Sequence, residues 1–201
     1  PLYLALEGAF HGKTTGSVKL TYDHEVRYPF RRIGLRVRFL PVGDVVALER
    51  AIAEEALTYL DLSIGSDGAV RLEEKPFTNI AAMLVEPIQG EGGIREVPTV
   101  YLQRARQAAD SAGFPLVIDE IQTGCGRTGT FLASETRVVG DYYVLSKALG
   151  GGLAKVSAML VDSARYREKF GSVHTSTFAE DDLSSRIALA VLDLVSEAKY
   201  G

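Results

Sequence analysis

Tryptophan is absent from the 201 residues, and cysteine occurs once, at Cys125. A lone cysteine has no partner within the chain, which excludes an intramolecular disulfide as a source of stability. That usage fits a reducing compartment, so a cytoplasmic location is expected. No apolar run approaches the ~20 residues that a membrane-spanning helix needs. The first residues, Pro1-Leu2-Tyr3-Leu4-Ala5-Leu6, carry neither a basic leader nor a cleavage site. An excess of one charge sign is also missing: the net charge is −4 with both signs interspersed. No broad basic face is left for nucleic acid or an anionic membrane. The local exception, Arg31-Arg32 with Arg36 and Arg38, reads as a solvated strand or loop. Repeats and low-complexity linkers are absent, so residues 1–201 are counted as one domain. No metal site is read from the sequence.

What is present is a composition 46% hydrophobic and 24% charged, enough to bury a core as one globular unit. Short apolar runs alternate with amphipathic stretches, the pattern of an α/β domain with a mainly parallel sheet. Strands are expected at about residues 3–6, 35–40, 81–85, 116–118, 142–145 and 157–161. Helices are expected at about 44–59, 99–112, 163–170 and 183–198. Asp44 is a plausible N-cap, Pro98-Thr99 opens the next helix, and Gly113 marks its end. In the last helix Leu183, Ile187, Val191 and Leu194 share one face, a packing stripe. Residues 61–76 read as a surface hairpin turning at Ser66-Asp67-Gly68, with no chemistry assigned to it.

Chemistry-bearing residues fall just after four of the expected strands, at Phe10, Glu86, Asp119 and Lys147. In open parallel sheets ligands bind outside the carboxyl ends of the strands. Lys147 ends the run Tyr142-Tyr143-Val144-Leu145-Ser146 and precedes Ala148-Leu149-Gly150-Gly151-Gly152. An ammonium there is expected to be partly desolvated, which lowers its pKa and frees the amine to attack a carbonyl. Asp119 closes Phe114-Pro115-Leu116-Val117-Ile118-Asp119. Singly, a lysine after a strand is usually solvated, and an Asp-Glu pair usually caps a helix. Together, a Schiff-base lysine and an acidic partner for a pyridinium nitrogen are the minimal equipment for pyridoxal phosphate.

The segment from Leu116 to Gly129, containing Asp119-Glu120-Ile121-Gln122-Thr123-Gly124-Cys125-Gly126-Arg127-Thr128-Gly129, resembles the class III (ornithine and ω-amino) aminotransferases. Ser146-Lys147-Ala148-Leu149-Gly150-Gly151-Gly152 continues the resemblance. So do Phe10-His11-Gly12-Lys13-Thr14-Thr15-Gly16-Ser17, Glu86-Pro87-Ile88-Gln89-Gly90-Glu91-Gly92-Gly93 and His174-Thr175-Ser176-Thr177-Phe178, all in the family's order. The resemblance implies a fold-type I pyridoxal phosphate enzyme, with residues 1–201 as the core of its three-layer α/β/α large domain.

It implies that Lys147 forms the Schiff base and shuttles the proton, and that Asp119 pairs with the pyridine nitrogen. Neutralising Asp119 should then cripple catalysis more than cofactor retention. Gln122 would reach the phenolic oxygen of the ring, and Phe10 would stack on it with His11 beside. Glu91, and Glu86 in the same block, would gate the substrate by pairing with an arginine. Thr177 would donate to the cofactor phosphate of a neighbouring subunit, which implies a homodimer. Donor and acceptor would be an amine or ω-amino acid and an oxo-acid or aldehyde. The glycine run 150–152 admits either a phosphate turn or close packing behind Lys147, and Cys125 is given no catalytic role.

Some positions depart from the family pattern. Gly140 and Lys155 stand where prolines are usual, and Ala179-Glu180-Asp181-Asp182 replaces a Gly-Gly-Asn-Pro segment. The upstream turn that cups the phosphate and the C-terminal small domain have no counterpart, so the sequence reads as truncated at both ends and inactive or nearly so in isolation. An aminomutase or decarboxylase of the same fold, or a noncatalytic scaffold, are the competing readings. Dependence on a separate acceptor separates transamination from mutation.

Overall fold

The computed structural model describes residues 1–173, 176, 177, 179 and 181–197. In chain order the elements are β1 (Leu2–Leu6), α1 (His24–Arg27), β2 (Arg36–Leu40), α2 (Val45–Glu54), β3 (Ala56–Ile64) and β4 (Val70–Thr78). Then come β5 (Ile80–Val85), β6 (Ile88–Gln89), β7 (Arg95–Glu96), α3 (Thr99–Ala112) and β8 (Leu116–Asp119). β9 (Tyr142–Leu145), β10 (Ala158–Val161), α4 (Glu168–Val173) and α5 (Asp182–Glu197) complete the chain.

Side chains alternate across a strand, so each apolar run supplies one row to each face of a sheet. Six strands pair in the order β10-β9-β8-β5-β1-β2. Within this sheet β2, β1, β5, β8 and β9 run parallel, and β10 is antiparallel to β9. The registers align Leu4 with Met83 and Leu116, and Val85 with Ile118 and Tyr143. That row is buried against Leu48 and Ala51 of α2 and Tyr101, Leu102, Ala105 and Ala109 of α3. Each such large aliphatic chain contributes about 1.5–3 kcal/mol on removal from water. Since Leu116 and Ile118 face this layer, Asp119 points to the opposite face, at the carboxyl end of its strand. A second, smaller cluster joins Cys125, Leu145, Leu149 and Ala188, seating α5 on the turn after β9. Among the described residues, no helix is long and apolar enough to cross a membrane.

The capping signals act as read. The Asp44 side chain accepts the Ala47 N–H at 2.9 Å, and Gly113 ends α3 in the left-handed conformation at φ 78°. Two helix expectations are corrected. The helix expected over 44–59 ends at Glu54, because residues 56–64 pair in full register with 70–78 and that ladder overrides local helix propensity. The hairpin is thus longer than the 61–76 read from sequence. Asp162 takes the N–H groups of Ala164, Arg165 and Tyr166, which makes a turn where a helix over 163–170 was expected and moves α4 to Glu168–Val173. The last helix matches, except that Ala198 lies outside the described residues.

Candidate active site

Four segments far apart in sequence converge beyond the carboxyl ends of β1, β5, β8 and β9. Asp119 accepts the Ile121 N–H through Oδ1 at 3.1 Å, which turns its Oδ2 toward His11. His11 Nδ1 lies 2.8 Å from that oxygen, with the two side chains only 2% and 9% exposed. An ionised carboxylate has no proton to give, so Nδ1–H is the donor. The other imidazole nitrogen, Nε2, is buried with no hydrogen-bond partner among the described residues.

His11 is itself placed by Thr21, whose Oγ1 accepts the His11 N–H at 3.1 Å and donates to the Gly12 carbonyl at 2.9 Å. Sequence reading gave Thr21 no role, since nothing local marks a threonine ten residues on as a support. Beside His11, the Phe10 N–H donates to Glu86 Oε2 at 2.9 Å. Burial pushes the Glu86 carboxyl above its ordinary range, opposed by the nearby His11 and by the Phe10 N–H. Glu86, expected with Glu91 to gate the substrate, is 5% exposed and lines the same cavity as Phe10 and His11.

Lys147 closes the opposite side. Its backbone sits at φ 46°, a left-handed conformation that costs a non-glycine residue about 1–2 kcal/mol. The Ser146 carbonyl accepts the Leu149 N–H and the Ser146 hydroxyl donates to the Val156 carbonyl, which fixes the turn. The ammonium donates to Gln122 Oε1 at 2.9 Å. Contrary to the desolvation expected at a strand end, Lys147 is exposed, because the left-handed turn swings it out of the apolar run. Gly90 makes room for Gln122: a Cβ there would lie 2.4 Å from both Gln122 amide atoms.

A cavity of about 130 Å³ is lined by Phe10, His11, Glu86, Asp119, Gln122 and Lys147 among others. Gln122 and Lys147 also border a cavity of about 360 Å³ with Gly90, Ile94, Arg127 and Thr128. Glu91 is exposed and lines a third cavity with Phe10 and Lys13. Thr177 is exposed and borders none of these three. His174, Thr175 and Phe178 of its block lie outside the described residues. Gly151, at φ 58°, would put a Cβ 2.6 Å from Val191 Cγ2, so the glycine run makes close packing under α5 at that position.

Two further carboxylates hold the frame. Glu120, read only as half of a capping pair, is buried. It accepts the Ser134 N–H and hydroxyl at 2.8 and 2.6 Å, the Ala133 N–H at 3.2 Å, and the Thr123 hydroxyl. It thereby ties down the loop that carries Gln122. Asp141, at the start of β9, takes the Leu116 N–H at 2.7 Å and the guanidinium groups of Arg106 and Arg165 at 2.6 and 2.5 Å.

The chain matches the family model for aminotransferase class-III over residues 2–200. Ornithine aminotransferase 1 of Staphylococcus aureus is 35% identical over 195 residues, which are 96% of this chain and 43% of that protein. The ornithine aminotransferase of Toxoplasma gondii superposes with a TM-score of 0.77 at 27% identity, over 98% of this chain and 41% of the other. An amine transaminase from an uncultivated Pseudomonas species, in its PLP-bound (internal aldimine) form, gives 0.78 at 24% identity, over 97% and 45%. The chain therefore spans less than half the length of these relatives.

Proposed function

The chain belongs to the class III aminotransferase family, and we propose that residues 1–201 form the large-domain core of a pyridoxal phosphate-dependent aminotransferase. Its fold is that of the fold-type I aminotransferases. The reaction proposed is transfer of an amino group from an amine or ω-amino acid to an oxo-acid or aldehyde. The observation that carries this reading is the convergence of Lys147, Gln122, Asp119, His11 and Phe10 on one cavity.

The residues fit the cofactor. A carboxylate backed by a buried imidazole suits a protonated ring nitrogen, and the space left by Gly90 holds an amide against the lysine. When bound, pyridoxal phosphate supplies an aldehyde that condenses with amines and a ring that withdraws electrons from the substrate carbon. Asp119 would hold the positive ring nitrogen, with its carboxylate oriented by His11 Nδ1–H. Gln122 accepts from Lys147 through Oε1, which leaves its Nε2 hydrogens free to donate to a ring oxygen. Lys147 Nζ would supply the amine that meets the cofactor aldehyde and would hold and move the proton at the substrate carbon. Phe10 stacks, with Glu86 fixing its backbone from behind. Glu91 stands exposed at the rim, where it would pair with a substrate-binding arginine.

Thr177, exposed in this chain, would serve the phosphate of a second subunit, giving a homodimer that works in the cytoplasm. By itself the 201-residue chain is expected to turn over little. The test is the absorbance spectrum of the full-length protein with pyridoxal phosphate beside Lys147→Ala, followed by borohydride reduction and peptide mapping. A visible band that requires Lys147, is bleached by an amine donor and leaves the cofactor mass on the Lys147 peptide supports the reading. A band indifferent to Lys147 overturns it.

A further inference from the structure

The β3–β4 hairpin has its polarity inverted. Antiparallel pairing places Leu60, Leu62, Ile64, Val70 and Leu72 on one face, with Leu62 opposite Leu72 and Ile64 opposite Val70. The other face carries the Asp61–Lys75 ion pair at 2.5 Å, the Ser63–Glu73 hydrogen bond and, at its base, the edge-on rings of Tyr59 and Phe77. On that polar face Asp61, Ser63 and Lys75 are half-buried, while the five aliphatic chains opposite are 60% to 76% exposed. Among the described residues the two strands pair only with each other. A lone two-stranded hairpin is marginal in water, so nine-residue strands with a bare aliphatic face lack the burial that ordinarily sustains them.

We propose that this face is a self-association surface, covered by the same face of a second copy of this chain. Three observations choose that occupant. The five positions present no charge, so there is no charge pattern for a foreign partner to complement, and an isologous two-fold contact requires only that the face match itself. At roughly 100 Å² of apolar surface per side chain, the five expose on the order of 500 Å². Stacking two copies therefore removes about 1,000 Å², the size at which a specific interface begins. Of the charged residues around the strip, Glu74 shares its face opposite Leu60, and at the tip Arg71 is neutralised by its ion pair with Asp67, so no cationic patch is offered to an anionic lipid surface.

The test is sedimentation velocity on the wild-type full-length protein beside two double variants of it, Leu62→Glu with Leu72→Glu and Leu62→Lys with Leu72→Lys. All four substitutions are at exposed positions, and circular dichroism confirms that each variant is folded. The expected result is a wild type one mass doubling above either variant, with the heavier species restored when the two variants are mixed. A dimer formed at the cofactor site adds the same doubling to every sample, so the two interfaces are distinguishable. Equal masses for wild type and variants overturn the proposal. So does wild-type binding to phosphatidylcholine or phosphatidylserine vesicles that the variants lose without any change in mass.

Discussion

His11 and Asp119, 108 positions apart, meet at 2.8 Å through Nδ1 and Oδ2, and the far nitrogen of the imidazole is enclosed without a partner among the described residues. The pair is built to hold a carboxylate in one orientation while leaving one buried polar atom unsatisfied, a cost ordinarily tolerated only where a function requires it.

Replacing His11 with Leu strands the Asp119 carboxylate in an apolar pocket, and a loss of about 1–3 kcal/mol is expected in urea unfolding. His11→Asn restores part of it, since an amide can still donate to Oδ2. The double variant His11→Leu with Asp119→Leu should cost less than the two single changes together. Strict additivity would show that the 2.8 Å contact carries no coupling energy.

Gly90→Ala tests the support of Gln122. The added Cβ lands on the end of a flexible, exposed side chain, so stability should change by less than about 0.5 kcal/mol as Gln122 swings away. Its bond to Lys147 is then lost. Pyridoxal phosphate retention, followed by dialysis of the full-length protein, should weaken about tenfold, the equivalent of one hydrogen bond of ~1.4 kcal/mol. Unchanged retention would remove Gln122 from the site.

Glu86 gives a pH signature. Burial raises its folded pKa above the ordinary 4.5, so the stability linked to it is complete below that value and is lost as pH rises through the raised one. Glu86→Gln keeps an acceptor for the Phe10 N–H and removes the titration. Melting temperatures of wild type should fall relative to Glu86→Gln as the pH rises above 4.5. Parallel profiles would mean that the carboxyl ionises at no cost.

The sheet was legible because five of its six strands are short apolar runs bounded by turn signals, and the sixth, Arg36–Leu40, alternates charged with apolar residues. Lys147, Asp119 and Gln122 were legible because each stands next to such a run, where the topology of a parallel sheet delivers side chains to one edge. What was not legible depended on distance. Thr21 supports His11 across a loop, and Glu120 binds Ser134 fourteen positions on, partnerships that leave no period in the sequence. The helix expected to reach residue 59 failed for a related reason: Leu57, Tyr59 and the residues that follow answer to a strand beginning at Val70, beyond any helical window.

Asp141 anchors the strand that delivers Lys147, and its removal should be felt throughout the fold. Burial pushes its carboxyl up, but the Arg106 guanidinium, the Leu116 N–H and Arg165 together outweigh that and hold it below the ordinary carboxylate range. Asp141→Asn leaves Arg106, most of whose side chain is buried, facing an amide instead of an anion. Losing one partner of a largely enclosed pair costs about 2–4 kcal/mol, read as a lower urea midpoint at constant slope. The sign of the pH dependence follows from the lowered pKa. Asp141 contributes fully above the ordinary value of 3.8, and its contribution is lost as pH falls through the folded value. The gap between wild type and Asp141→Asn should therefore close on acidification. A gap that stays constant down to about pH 2 would show that shape, not charge, is what Asp141 supplies.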